Sequence, residues 1–261
     1  MNSARYDRDR RSRILLHKDH NVQVKAEVRW IVVISHFGLA TYYQTMGSNF
    51  VNYQVRSTDD AAVIAAASAL VQGRAYVSPA KTGWVTLYDE RSESQNAYEI
   101  GRIGEELSLK LNTAVLAIVV NDSTLLVYYL FDNSDLLDEY NSNPLPVNPN
   151  ANTDQKYRFA GRPEILLNYC PAGTSREQIE KSLRRGNELV EGGFATNIFA
   201  EERLGGLTAA MQIDPTRATS GFNDFERRYA AFPDSSKFTA IGGKPVKPLQ
   251  MRRIPPQIPK K

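Results

Sequence analysis

The 261-residue sequence predicts an α+β fold: a mixed sheet with a three-stranded meander, flanking helices, and a C-terminal helical region. Three observations predict it. Strand-like and helix-like periods alternate over residues 50–111. Two short apolar runs, 113–120 and 125–131, are separated only by Asn121, Asp122, Ser123 and Thr124, and beyond residue 162 the apolar spacing becomes helical.

Residues 50–56 (FVNYQVR) alternate as a strand does. Ser57, followed three residues later by Asp60, marks a helix start before AAVIAAASALV, which stops at Gly73. A second strand spans 84–88. The pair Ser92 and Gln95 forms a capping-box pattern for a helix with Ile100, Ile103, Leu107 and Leu111 on one face. The runs TAVLAIVV and LLVYYLF then read as antiparallel strands, and a weaker strand at 136–140 completes the meander. Both runs are apolar at odd and even positions alike, so both faces of the sheet need cover.

The Pro- and Asn-rich stretch 141–152 (NSNPLPVNPNAN) has no period and reads as a linker. After it, Thr174 with Glu177 forms a capping box for a helix carrying Ile179, Leu183 and Val190, stopped by Gly192 and Gly193. A second stripe runs Leu204, Leu207, Met211. A third runs Ala218, Phe222, Phe225, Tyr229 from an Asp214 N-cap with Pro215 in the first turn. These helices are the natural cover for the open face of the sheet. The organisation is therefore a basic N-terminal extension (1–40), an α+β region (41–143), a Pro/Asn-rich linker (144–161), a helical region (162–232), and a Pro-rich basic tail (233–261).

The net charge of +3 conceals an asymmetry. Residues 1–25 and 244–261 together carry +10, which leaves −7 for the body. Such ends suit weak, non-specific contact with polyanions, whereas an acidic body disfavours a nucleic-acid surface spread over the fold. The single Cys170 cannot form an internal disulfide, and the basic start MNSARYDRDRRSR has no apolar core behind it as a secretory signal would, which predicts a cytoplasmic protein. The apolar stretch 30–41 is interrupted by Ser35, His36 and Gly38 and falls short of the roughly 18 to 20 residues of a membrane span.

Short catalytic patterns are missing from the sequence. Gly242, Gly243 and Lys244 are followed by Pro245, which does not complete a P-loop. There is no G-x-S-x-G elbow, no H-E-x-x-H and no C-x-x-C pair. Residues 211–228 read as helix, short turn, helix, but Glu201, Glu202 and Glu226 place negative charge beside the second helix, against a DNA-reading role. Cys170 lies in an apolar run before Pro171 and reads as a buried structural thiol.

One edge of the sheet draws together the polar residues with chemical potential. A crossover from the strand at 84–88 to that at 113–120 makes the two run the same way, and the meander returns 136–140 to that direction. The strand ends then carry Asp89, Glu90, Asn121, Asp122, Asp138 and Glu139 to one edge. Asp89, Asp122 and Asp138 are the candidate ligands of a hard divalent cation such as Mg²⁺ or Ca²⁺, with Glu90, Asn121 and Glu139 completing a polar site that would equally suit a basic peptide. No catalytic residue and no organic cofactor is indicated. The expected function is a non-enzymatic cytoplasmic interaction or regulatory module that binds another protein or a second copy of itself. The rival readings are a nucleic-acid-associated protein using its basic termini and a carboxylate-based divalent-metal enzyme.

Overall fold

Seven strands form one sheet in the computed structural model, which describes residues 47–142, 159–183, 189–190, 193–194 and 199–242. The expected N-terminal extension, nearly all of the linker and the tail beyond residue 242 lie outside the described residues.

The strands are β1 (Phe50–Arg56), β2 (Ala75–Val77), β3 (Trp84–Asp89), β4 (Ala114–Asn121), β5 (Leu125–Asp132), β6 (Asp135–Asn141) and, beyond a separate two-stranded ribbon of β7 (Leu189–Val190) and β8 (Gly193–Phe194), β9 (Thr239–Ile241). Their order is β6-β5-β4-β1-β3-β2-β9, and every neighbouring pair is antiparallel. The two strands expected to run the same way, β3 and β4, do so with β1 inserted between them: Tyr53 of β1 faces Leu87 on one side and Ala117 on the other. The directions that the crossover implies are therefore present, but between second neighbours.

Helices cover both faces. On one lie α1 (Asp60–Leu70) and α2 (Ala97–Leu111), whose Val63, Ala67, Leu70, Ile100, Ile103 and Leu107 pack against Val51, Val55, Val85, Leu87, Val115 and Ala117. On the other lie α3 (Pro163–Leu166), α4 (Arg176–Leu183) and α5 (Ala200–Ala210), and there Leu166, Ile179, Leu204 and Leu207 meet Leu116, Ile118, Leu126, Tyr128 and Leu130. Each such side chain taken from water is worth roughly 1.5–3 kcal/mol, which is why strands apolar on both faces need both layers. Two shorter helices, α6 (Pro215–Ala218) and α7 (Phe222–Arg228), cover the β2 and β3 end of this face through Phe222 and Phe225 against Tyr76 and Tyr88.

Several boundaries differ from those the sequence suggests. The caps of α1 and α2 are Asp59 and Asn96, whose side-chain oxygens accept from the backbone N–H groups of Ala62 and of Tyr98 and Glu99; Ser92 instead lies within the 3₁₀ turn Arg91–Ser94. The box on α4 is reciprocal between Ser175 and Gln178, one residue later than Thr174 and Glu177. Val190, assigned by spacing to that helix, lies in β7 and pairs with Gly193 of β8, so Gly193 belongs to a strand rather than to a helix stop. The third helical stripe breaks after Ala218, where Thr219 to Gly221 leave helical geometry. Residues 233–242, assigned to the tail, contain a 3₁₀ turn and β9, which pairs with β2 through Ala75 and Ile241.

Candidate functional site

The six polar residues expected at one edge are dispersed, and each described contact gives them a separate local task. Asp89 continues the face of Val85 and Leu87, toward α1 and α2, where its Oδ2 accepts from the backbone N–H of Ser92 at 2.9 Å and from the Ser92 hydroxyl at 2.7 Å. Ser92 in turn pairs with the Tyr53 hydroxyl at 2.7 Å. Burial raises the Asp89 carboxyl above its usual range against these hydrogen bonds, and burial likewise drives the Tyr53 phenol upward.

Asp138 points the other way. It stands opposite Leu130, on the face covered by α3 to α5, and is buried. Its Oδ2 accepts from the Tyr128 hydroxyl at 2.7 Å and the Arg162 backbone N–H at 2.9 Å, and its Oδ1 from Arg162 Nε at 3.3 Å. Asp89 and Asp138 thus lie on opposite faces of the sheet, four strand spacings or about 19 Å apart across it. Along the strands, Leu130 pairs with Leu116, whereas Asn121 lies about 17 Å further on and Asp122 beyond it. Among the described residues no three of His, Cys, Asp and Glu gather as ligands around a common point.

The remaining three are used nearby. Glu90 clasps Arg74 through both carboxylate oxygens, and that guanidinium, which also reaches Glu226 at 2.6 Å, holds the Glu90 carboxyl below its usual range. Asn121 donates to Gln95 Oε1 at 2.7 Å, while Gln95 Nε2 donates to the Val120 carbonyl at 2.8 Å, so these two tie the end of β4 to the start of α2. Asp122 sits at φ +49° in the β4–β5 turn with its N–H on Asn49 Oδ1. Glu139 faces Tyr129, whose phenol is pushed up to about 12 by burial and then by that carboxylate.

A buried polar chain that no sequence motif marks runs under α6. Asn52 Nδ2 donates to the carbonyls of Ala218 and Ser220, Gln54 Nε2 to Asn52 Oδ1, and Thr86 Oγ1 to Gln54 Oε1. Arg217, itself buried, donates to Ser78 Oγ and the Pro79 carbonyl, and Tyr88 donates to the Arg217 carbonyl. The strand alternation in FVNYQVR marks Asn52 and Gln54 as one polar face. Their burial is set by carbonyls more than 160 positions away in the chain. The same chain of contacts uses Arg217 inside the protein, away from any reading role on a helix-turn-helix surface. Cys170 is half-buried and donates to the Leu166 carbonyl, with burial raising its thiol.

The outward side of the α1/α2 layer has a different character. The core side of α2 carries Ile100, Ile103, Gly104, Leu107 and Ser108, which leaves Tyr98, Arg102, Glu105 and Leu109 on the opposite side at helical spacing. Tyr98 is 61% exposed and Leu109 is 55% exposed, the two highest values among the large apolar side chains of the described residues. Alongside, α1 turns Ala61, Ala65 and Ser68 outward opposite its own core residues Val63, Ala67 and Leu70. The layer therefore offers a low, largely uncharged helix beside one that carries two exposed apolar groups. Arg102 is held within its helix by Glu99 at 3.1 Å and Glu106 at 3.3 Å, whereas the Glu105 carboxylate makes no ion pair among the described residues.

Among the described residues no helix is long and apolar enough to cross a membrane. Compared with protein-family models, with curated proteins and with solved structures, the chain matches none.

Proposed function

We propose that the chain is a non-enzymatic, cytoplasmic module that binds another protein through the outward face of α1 and α2. The observation that carries this reading is the pair Tyr98 and Leu109, exposed on one stripe of a helix whose opposite side already supplies a full core face. Single exposed apolar residues are ordinary on a protein surface. Two on one helical stripe, flanking Arg102 and Glu105 and lying beside an alanine-rich neighbouring helix, make a mixed apolar and charged face of the kind that contact surfaces use. The polar groups at the strand ends support the same reading, since Asp89, Glu90, Asn121 and Asp138 are engaged in joining elements of the fold. The lone cysteine supports the compartment.

The test replaces both residues, Tyr98→Ser with Leu109→Ser. Neither side chain is buried, so the melting temperature stays within about a degree or two of the parent, as is usual for surface changes. Immobilised parent protein should retain from a cytoplasmic extract at least one protein that the double variant does not. Identical retained sets would overturn the reading.

A further inference from the structure

The outward stripe of α2 has a property that a surface for an unrelated partner does not need: it is complementary to itself when reversed. Pairing each residue with the one whose number brings the sum to 207 places Tyr98 opposite Leu109, Gly101 opposite Glu106, and Arg102 opposite Glu105. Tyr98, Glu105 and Leu109 are exposed, and Gly101, Arg102 and Glu106 are half-buried. A two-fold axis through the middle of the helix, between Ile103 and Gly104, generates this pairing twice over. We infer that a second copy of this chain docks here, with the two α2 helices antiparallel.

The inference rests on the outward face of α1 and α2 being a contact surface, and it names the occupant. Three independent features agree with the reversed register. The apolar ends meet each other, since Tyr98 lands on Leu109 of the second copy at both ends of the contact. The charges meet with opposite sign, since Arg102 lands on Glu105 of the second copy, and the partly buried pairs that Arg102 makes to Glu99 and Glu106 lie within its own helix and are worth only a few tenths of a kcal/mol each, which is little for a charge pair across the contact to offset. The backbone can also approach closely, since a Cβ placed on Gly101 would meet nothing within 4 Å. The same-direction alternative sets Arg102 against Arg102 and Glu105 against Glu105, so charge selects the antiparallel arrangement.

The size of the patch sets the strength. Helices of 11 and 15 residues are about 16 and 22 Å long, and two lying side by side present a footprint on the order of 400 Å². That is below the roughly 800 Å² per partner of a standard interface, so the dimer should be weak and half dissociated at about 10–100 μM.

Sedimentation of the purified full chain between about 1 and 500 μM tests this. The expected result is a reversible monomer–dimer equilibrium, with Arg102→Glu and Glu105→Arg each monomeric alone because each sets like charges together. Mixed in equal amounts, these two variants should dimerise again, since every contact between them joins opposite charges. Circular dichroism confirms that each variant is folded. If either is not, Tyr98→Cys with Leu109→Cys provides the second measurement: under mild oxidation the double variant should cross-link into dimers, whereas Tyr98→Cys alone, with its thiols about 16 Å apart along the helix, should not. A wild type that stays monomeric throughout, or a mixture that fails to restore the dimer, overturns the inference. If the chain is monomeric but a partner from the extract still depends on Tyr98 and Leu109, the contact surface stands and only the second copy is excluded.

Discussion

The Glu93 carboxylate accepts the backbone N–H of Phe222 at 2.9 Å and the Asn223 side-chain N–H at 3.1 Å, fastening the turn after β3 to the start of α7. The two partners come from segments that the sequence gives no reason to join. Their contact also closes the β1 end of the fold, where Val51 donates to the same oxygen at the limit of 3.5 Å.

The burial of Glu93 at this contact makes stability depend on pH. Burial pushes the Glu93 carboxyl up to about 7, helped by the Asp224 carboxylate and opposed by the N–H groups it accepts. A carboxyl whose folded value lies above its unfolded value binds its proton more tightly when folded. Its contribution is therefore fully present below about pH 4.5 and is lost as the pH rises through about 7. With allowance for the water that still reaches this group, the loss is on the order of 2 kcal/mol. Denaturant unfolding of the parent and of Glu93→Gln at pH 5 and pH 8 should give a stability difference between the two proteins that shifts by that amount in favour of the glutamine at pH 8. A pH-independent difference would show that the carboxyl titrates normally.

Asp138 and Asp122 should separate sharply on substitution although the sequence places them in one candidate site. Asp138→Ala strands the Tyr128 hydroxyl in the core and frees Arg162, which should cost about 2–4 kcal/mol. Asp122 is exposed at φ +49°, a conformation that asparagine adopts at least as readily, so Asp122→Asn should change stability by less than about 0.5 kcal/mol. Equal effects in urea titrations would contradict the assignment of Asp138 to the core.

The two faces of α2 can be read through its glycines. A Cβ on Gly101 meets open space, so Gly101→Ala should stabilise the helix by about 0.5–1 kcal/mol. A Cβ on Gly104, three positions on, would come within 2.7 Å of the Phe131 ring, and Gly104→Ala should cost about 1–3 kcal/mol. Opposite signs in thermal unfolding confirm which side faces the sheet, and like signs would mean that the outward stripe is wrongly placed.

The sequence is informative wherever an element carries its own period. Ile100, Ile103 and Leu107 define the core face of α2 without help, and by subtraction they leave Tyr98 and Leu109 outside. β1, β3, β4 and β5 are long and apolar enough to be read directly. β2 and β9, with three residues each, are too short to show a period and exist because β3 and β2 present open edges to them. The acidic edge failed for a related reason. Crossover and meander rules give strand directions correctly, but the face on which a residue lies depends on pairing, and the register shift between Leu130 and Phe131 alters the phase of β6 just before Asp138. Asp89 and Asp138 therefore point apart.

The same limit explains Phe238, and it yields the clearest test. Composition places residue 238 in a Pro-rich basic tail, where replacing a phenylalanine would have no effect on stability. In the structure Phe238 is buried, its ring stacked on Tyr88 with centroids 6.0 Å apart, tilted against Phe225 at 4.5 Å and covered by the Arg217 guanidinium at 5.4 Å. Removing it opens a cavity in an aromatic cluster that also seats the buried Arg217, whose charge has only Ser78 Oγ and the Pro79 carbonyl as its described hydrogen-bond acceptors. Phe238→Ala should therefore cost about 3–5 kcal/mol, as large-to-small changes of a buried ring do, while the neighbouring exposed Lys237→Ala should stay within about 0.5 kcal/mol. Equilibrium unfolding of the full chain measures both. Two variants of equal stability would return residues 233–242 to the tail and remove β9 from the sheet, because Phe238 is the larger of the two apolar side chains, with Ile241, that this segment buries.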